Sequence, residues 1–133
     1  MSKNKGKIIR VILIVLGLII LGTAVSLFYF SRGLKEGAAL EIEEIYPLEQ
    51  EDGRYSGSYD FRRWSNELEV VVENGVITEI NVLDDMTVVD GELADKIFTQ
   101  VLEKQSLKVD IVAGATVSSK AYLKALENAF NAF

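Results

Sequence analysis

The chain contains no cysteine and no histidine. Without cysteine there can be no disulfide, no thiolate metal site and no lipid-bearing cysteine anchor. Without histidine, imidazole acid–base catalysis and the usual zinc sites are excluded. Any chemistry must come from carboxylates, hydroxyls, backbone amides or a cofactor. Proline is nearly absent as well, Pro47 being the only one. Acidic residues are missing from the first 35 positions, which instead hold Lys3, Lys5, Lys7, Arg10, Arg32 and Lys35. All 20 acidic residues lie beyond Lys35 with eight basic ones, a net charge there of about −12. A surface this acidic does not attract nucleic acid, and the sequence shows no basic groove or aromatic platform for bases.

What is present begins with a long apolar run. Between Arg10 and Arg32 lie 21 uncharged residues, VILIVLGLIILGTAVSLFYFS. As a helix they would span roughly 31 Å, close to the hydrocarbon thickness of a bilayer. Phe28, Tyr29 and Phe30 gather at one end, as an interfacial belt does. Four basic residues precede the run and two follow it closely, so the positive-inside rule places the N-terminus in the cytoplasm and the remainder outside. A cleavable signal peptide competes, with Gly22-Thr23-Ala24 as small residues for a peptidase. The apolar core exceeds the roughly 7–15 residues usual in signals, which favours an uncleaved, single-pass anchor in the cell membrane.

The 133 residues leave room for one domain besides the anchor. The expected division is a basic cytoplasmic tail over 1–10, the anchor over 11–31, an acidic linker over 32–51 and an extracytoplasmic domain over 52–133. A stretch within the linker, 38–45, has helical character. Tyr55 and Tyr59 with small residues between them suggest a first strand. Leu68, Val70 and Val72 alternate with Glu67, Glu69 and Glu73, and Val76, Thr78, Ile80 and Val82 alternate likewise, both at strand period. A two-residue Asn74-Gly75 turn would set Val72 opposite Ile77 and Val70 opposite Glu79. A three-residue loop, Glu73-Asn74-Gly75, sets Val72 opposite Val76 and Leu68 opposite Ile80, and is the expected connection, with Gly75 as a bulge. Residues 90–105 read as a helix capped by Asp90 or Gly91, with Leu93, Ile97, Val101 and Leu102 on one face. An extended piece over 107–112 leads to a last helix starting near Ser118 or Ser119, with Tyr122, Leu126, Ala129, Phe130 and Phe133 along one side. The fold class is α+β: one transmembrane helix, then a small antiparallel sheet with helices packed on one face.

The segment Asp110–Ser119, DIVAGATVSS, is the most informative. A flexible Gly114-Ala115 step precedes three hydroxyls, Thr116, Ser118 and Ser119, where a helix begins. A hydroxyl there is first of all a helix cap. Backbone N–H groups at a helix N-terminus also favour a negative charge, phosphate being the usual guest. This segment resembles the flavinylation motif of the FMN-binding domain family, found in the flavin-carrying subunits of Rnf and sodium-translocating NADH:quinone reductase complexes. Asp52–Tyr59 resembles that family's opening strand, and Glu73–Ile80 its second block. The likeness extends over about residues 52–132.

The resemblance implies FMN joined through its phosphate to Thr116 by a phosphoester, donated from FAD by a flavin transferase. It implies a cofactor site of Thr116, Gly114, Ala115, Asp110, Ser118 and Ser119; from the residue types and spacing, no metal site is expected. The family often carries a hydroxyl residue where this chain has Ala113. The expected function is electron transfer at the membrane, with redox partner proteins or a quinone, by a carrier rather than a self-sufficient enzyme. A flavin-free interaction or sensory module of the same fold is the alternative. Trp64 is read as an anchor of the sheet before a stacking partner for the flavin. Arg62 and Arg63 read as solvated surface, Asp84, Asp85 and Asp90 as loop acids without calcium-loop spacing. Lys120, one helical turn past Thr116, either approaches the phosphate or faces water.

Overall fold

The computed structural model describes residues 2–132. The chain divides into two compact units between Leu34 and Lys35. In the first, helix α1 runs Ser2–Ser31, with none of its residues buried. It is long and apolar enough to cross a membrane. No acidic residue interrupts it, and its only glycines carry no strained backbone.

The second unit opens within a short helix, α2 (Leu34–Ala38). Residues 39–46 are irregular, so the helical stretch expected over 38–45 does not form. This acidic segment packs instead as a strap. Ile45 is 5% exposed and belongs to the core. The Glu43 N–H donates to Glu127 Oε2 at 2.9 Å. A Cβ on Gly37 would collide with the Val117 side chain, so only glycine lets the strap approach there.

Three antiparallel strands follow in the order β1 (Gly53–Tyr59), β2 (Asn66–Glu73), β3 (Val76–Asp84). The alternation read in β2 holds, since Leu68, Val70 and Val72 are all fully buried. The β2–β3 connection differs from expectation. It is the two-residue turn Asn74-Gly75, both with positive φ (54° and 74°), the mirror-image turn whose twist suits a hairpin. Val72 therefore pairs with Ile77, but a bulge then shifts the register, so that Val71 meets Glu79 and Val70 meets Ile80. The extra residue, Thr78, flips the alternation of β3 partway along. Ile77 is thus buried at 2% while Val76 is 43% exposed, the reverse of a strict period of two.

Helix α3 (Gly91–Lys104) is capped by Asp90, whose carboxylate accepts the Glu92 N–H. It buries Leu93, Ile97, Phe98 and Val101. Helix α4 (Thr116–Phe130) buries Tyr122, Leu126, Ala129 and Phe130 among others; Phe133, placed on the same side by the sequence, lies outside the described residues. The helix α4 backbone lies so close to β1 that a Cβ on Gly57 would strike the backbone of Ala125 and Ala129. Trp64, 4% exposed, closes the core, stacked on Phe61 with the Arg63 guanidinium 4.3 Å above its ring. The unit is the expected α+β arrangement of an antiparallel sheet with helices on it.

Candidate functional site

The motif segment lies between α3 and α4. Residues 107–112 pair with no strand, so their backbone polar groups need other partners. Asp110 finds them on Gln100 of α3. The Gln100 side-chain Oε1 accepts the Asp110 N–H at 2.9 Å, and its Nε2 donates to the Asp110 C=O at 3.2 Å. The Asp110 side chain itself is exposed and makes no hydrogen bond or ion pair with any described residue.

A tight turn follows. The Ala115 N–H donates to the Val112 C=O at 3.0 Å, enclosing Ala113 and Gly114. Gly114 has φ +80°, the value required at the third position of a type II turn. A Cβ there would meet no atom within 4 Å, so glycine serves the backbone conformation and leaves open space beside it.

Helix α4 begins at Thr116, two residues before the expected start. Its cap position is held by Ala115, which offers no side-chain acceptor. Ser118 and Ser119 are therefore inside the first turns and cap nothing, contrary to the simpler reading of the hydroxyls. The helix starts early because the type II turn already aims the chain, and the Ser119 N–H reaches the Ala115 C=O at 2.9 Å. The N–H groups of Thr116, Val117 and Ser118 precede that first helical bond and have no intrahelical acceptor. Thr116 itself is half-buried at the first helical position. Ser119 is fully buried, and its hydroxyl finds no hydrogen-bond partner among the described residues.

The structure thus gathers Gly114, Ala115, Thr116 and Ser118 at one uncapped helix end. Asp110 stands at the far side of the turn, and Ser119 points into protein. The arrangement suits a phosphate ester on Thr116: unengaged N–H groups, a favourable helix dipole and no blocking side chain at Gly114. An open groove of about 530 Å³ runs alongside, lined by Asp95, Lys96, Thr99, Gln100 and Asp110–Val112. Lys120 does not face the turn; its Nζ donates to the Ala38 C=O at 2.7 Å and holds the strap. Asp85 and Asp90 also have structural duties, accepting the Tyr122 hydroxyl at 2.6 Å and capping α3. Burial, with that hydrogen bond second, raises the Tyr122 hydroxyl well above its ordinary pKa. Among the described residues no group of three acidic side chains is placed to hold a metal ion. Gln100 has no mark in the sequence, because nothing in its spacing shows a side chain that works on a backbone ten residues away.

A family model described as the FMN-binding domain matches residues 65–131. The matched span runs from the start of β2 through α4 and contains the whole turn and Thr116. No curated protein and no solved structure matches the chain.

Proposed function

The chain belongs to the FMN-binding domain family, and from that premise we propose that it carries FMN covalently on Thr116 as a membrane-anchored, extracytoplasmic electron carrier. The observation that carries this reading is the helix end at Thr116, where a hydroxyl occupies the first helical position and the cap position has no side-chain acceptor. That leaves three backbone N–H groups for a phosphodiester, which keeps one negative charge.

No histidine is available to activate the Thr116 hydroxyl. A separate flavin transferase therefore makes the bond. Thr116 Oγ attacks the flavin-side phosphorus of FAD. The new O–P bond forms as the pyrophosphate P–O bond breaks, AMP leaves, and the hydroxyl proton passes to a base of the transferase. Gly114 admits the phosphate by presenting no side chain, and the α4 N-terminus holds its charge. FMN, once bound, supplies redox chemistry that no side chain here can.

Helix α1, with a basic cluster in its first turns ahead of the apolar run, supports a single-pass anchor with the domain outside. Covalent attachment keeps the flavin from diffusing away in that setting. The electron partners are then a membrane quinone or redox proteins at the outer face.

The test is the intact mass of the full chain co-expressed with a matching flavin transferase. The expected result is a gain of one FMN less one water, on the peptide containing Thr116, and no gain in Thr116→Ala. Full loading of Thr116→Ala would overturn the assignment. A folded wild-type chain that stays unmodified by a transferase active on a control would favour the flavin-free module, with Ala113 the residue to restore to a hydroxyl.

A further inference from the structure

Helix α3 carries one glutamine inside it and a second at its C-terminal cap, and both act by the same device. Gln105 Oε1 accepts the Ile77 N–H at 2.7 Å while its Nε2 donates to the Ile77 C=O at 2.9 Å. Gln100 does the same to Asp110, at 2.9 and 3.2 Å. Each amide both donates to and accepts from one backbone residue, the exchange a neighbouring strand makes in an antiparallel ladder. For Ile77 this satisfies the backbone at one point on the outer edge of β3. For Asp110 it stands in for a sheet that the segment 107–112 lacks.

Resting on the function proposed above, we infer that Gln100 is a positioning residue for the modification of Thr116, acting through Asp110. The argument is one of competition. An aspartate side chain readily bonds nearby backbone N–H groups in turns and at helix ends. The end of α4 offers such groups, uncapped, across one tight turn from the Asp110 segment. An Asp110 with a free backbone would gain by folding its carboxylate onto them, with the helix dipole in favour. That would fill the place a phosphate needs and close the turn over the Thr116 hydroxyl. Gln100 satisfies both backbone groups of Asp110, and its Nε2 is further tied to the Lys96 C=O at 3.3 Å, which fixes the amide on its helix. The carboxylate is thereby held at the surface and the helix end stays open.

The test compares the two glutamines in the full chain. Initial rates of flavin transfer are measured with purified transferase and FAD for wild type, Gln100→Leu and Gln105→Leu. Thermal unfolding is followed for the same proteins. Both variants lose a backbone clamp and should lose similar stability. Gln100→Leu should also lower kcat for flavin transfer by between about tenfold and a hundredfold, with KM for FAD unchanged. Gln105→Leu should stay within about twofold of wild type. In Gln100→Leu the N–H groups of residues 116–118 should also exchange with solvent more slowly than in wild type, because the released Asp110 carboxylate caps them; a purely structural clamp would leave their exchange as fast as before or faster. Equal rates for the two single variants, or no slowing of exchange at residues 116–118 in Gln100→Leu, would overturn the inference while leaving Thr116 as the acceptor. Should Gln100→Leu fail to fold, Gln100→Glu keeps the acceptor, loses the donor and is read the same way. A wild-type chain that takes no flavin overturns the proposed function and this inference together.

Discussion

Helices α1 and α4 are both rich in apolar residues, and their surroundings are opposite. None of the 30 residues of α1 is buried, whereas ten of the 15 in α4 are. The difference lies in where polar groups stand. In α4, Lys120, Lys124 and Asn128 recur every fourth residue, and each has protein to bind: the Ala38 carbonyl, the Glu127 carboxylate and the Ser58 carbonyl. They mark the one side not given to the core. Across the apolar run of α1 there is no such stripe, so no face is suited to water. A helix apolar on all sides needs surroundings as apolar as itself. Similar hydrophobicity therefore leads to a protein core in one case and to a lipid-compatible surface in the other.

The largest expected effect tests that contrast directly. Leu126 in α4 is 1% exposed, and Leu126→Ala should cost about 2–5 kcal/mol of domain stability. Leu18 in α1 is 62% exposed, and Leu18→Ala should change the same transition by less than about 0.5 kcal/mol. Trp64, the sole tryptophan and 4% exposed, reports the domain alone in urea titrations of the full chain in detergent. Equal losses would mean that α1 contributes to the domain core, and the contrast would fail.

Next in size is a change that should touch only the anchor. An aspartate near the middle of a span costs about 2.5–3.5 kcal/mol of apparent insertion free energy. Leu18→Asp should shift the chain from the membrane fraction toward the soluble one, with the Trp64 transition unmoved. Undiminished, alkali-resistant membrane association would show that α1 is not the anchor.

A third comparison uses glycine. Gly114 has φ +80°, and a methyl group placed on its Cα would have no atom within 4 Å, so Gly114→Ala tests backbone strain alone. The expected cost is about 1–2 kcal/mol, with slower flavin transfer because the turn before Thr116 is displaced. Gly17 in α1 also has open space but no positive φ, and Gly17→Ala should leave domain stability unchanged. A Gly114→Ala variant as stable and as readily loaded as wild type would remove the turn from the account.

The elements themselves are legible because their periods are strong. The apolar run, the β2 alternation and the α3 pattern with its Asp90 cap all stand where the residues suggest. The hairpin is not, because β3 departs from a strict period of two. The Asn74-Gly75 pair names the correct turn, and the bulge at Thr78, which reconciles it with the buried face, leaves no mark in residue type. The strap reads as a spacer because its acidic residues look solvated. Glu44 and the Glu43 N–H instead bond to partners more than 60 residues away, which no local pattern encodes. At the site, the motif residues are legible by likeness, and the Gly114 conformation by its type. The start of α4 at Thr116 is hidden because a helix capped by alanine breaks the usual rule, and Gln100 because its role exists only in three dimensions.

The smallest expected effect separates the two regions by pH. Helix α1 contains no carboxylate, so acid acts through the second unit alone. Within it, Glu44 is the group whose shift bears on the strap. Burial opposes its ionisation, but hydrogen bonds from the Ser106 hydroxyl and the N–H groups of Leu107 and Ile45 outweigh that, and its pKa falls below the ordinary 4.5. A carboxyl with a lowered folded pKa stabilises the fold above its unfolded value and loses that contribution as pH falls through the folded one. The domain should therefore weaken from about pH 4.5 downward. Glu44→Gln should be less stable than wild type at pH 7, and the gap should narrow as pH falls through that window. Helical circular dichroism from α1 should persist while the Trp64 signal changes. A gap that stays constant from pH 7 to acid would mean that the Glu44 bonds to Ser106 and Leu107 hold the strap without help from the charge.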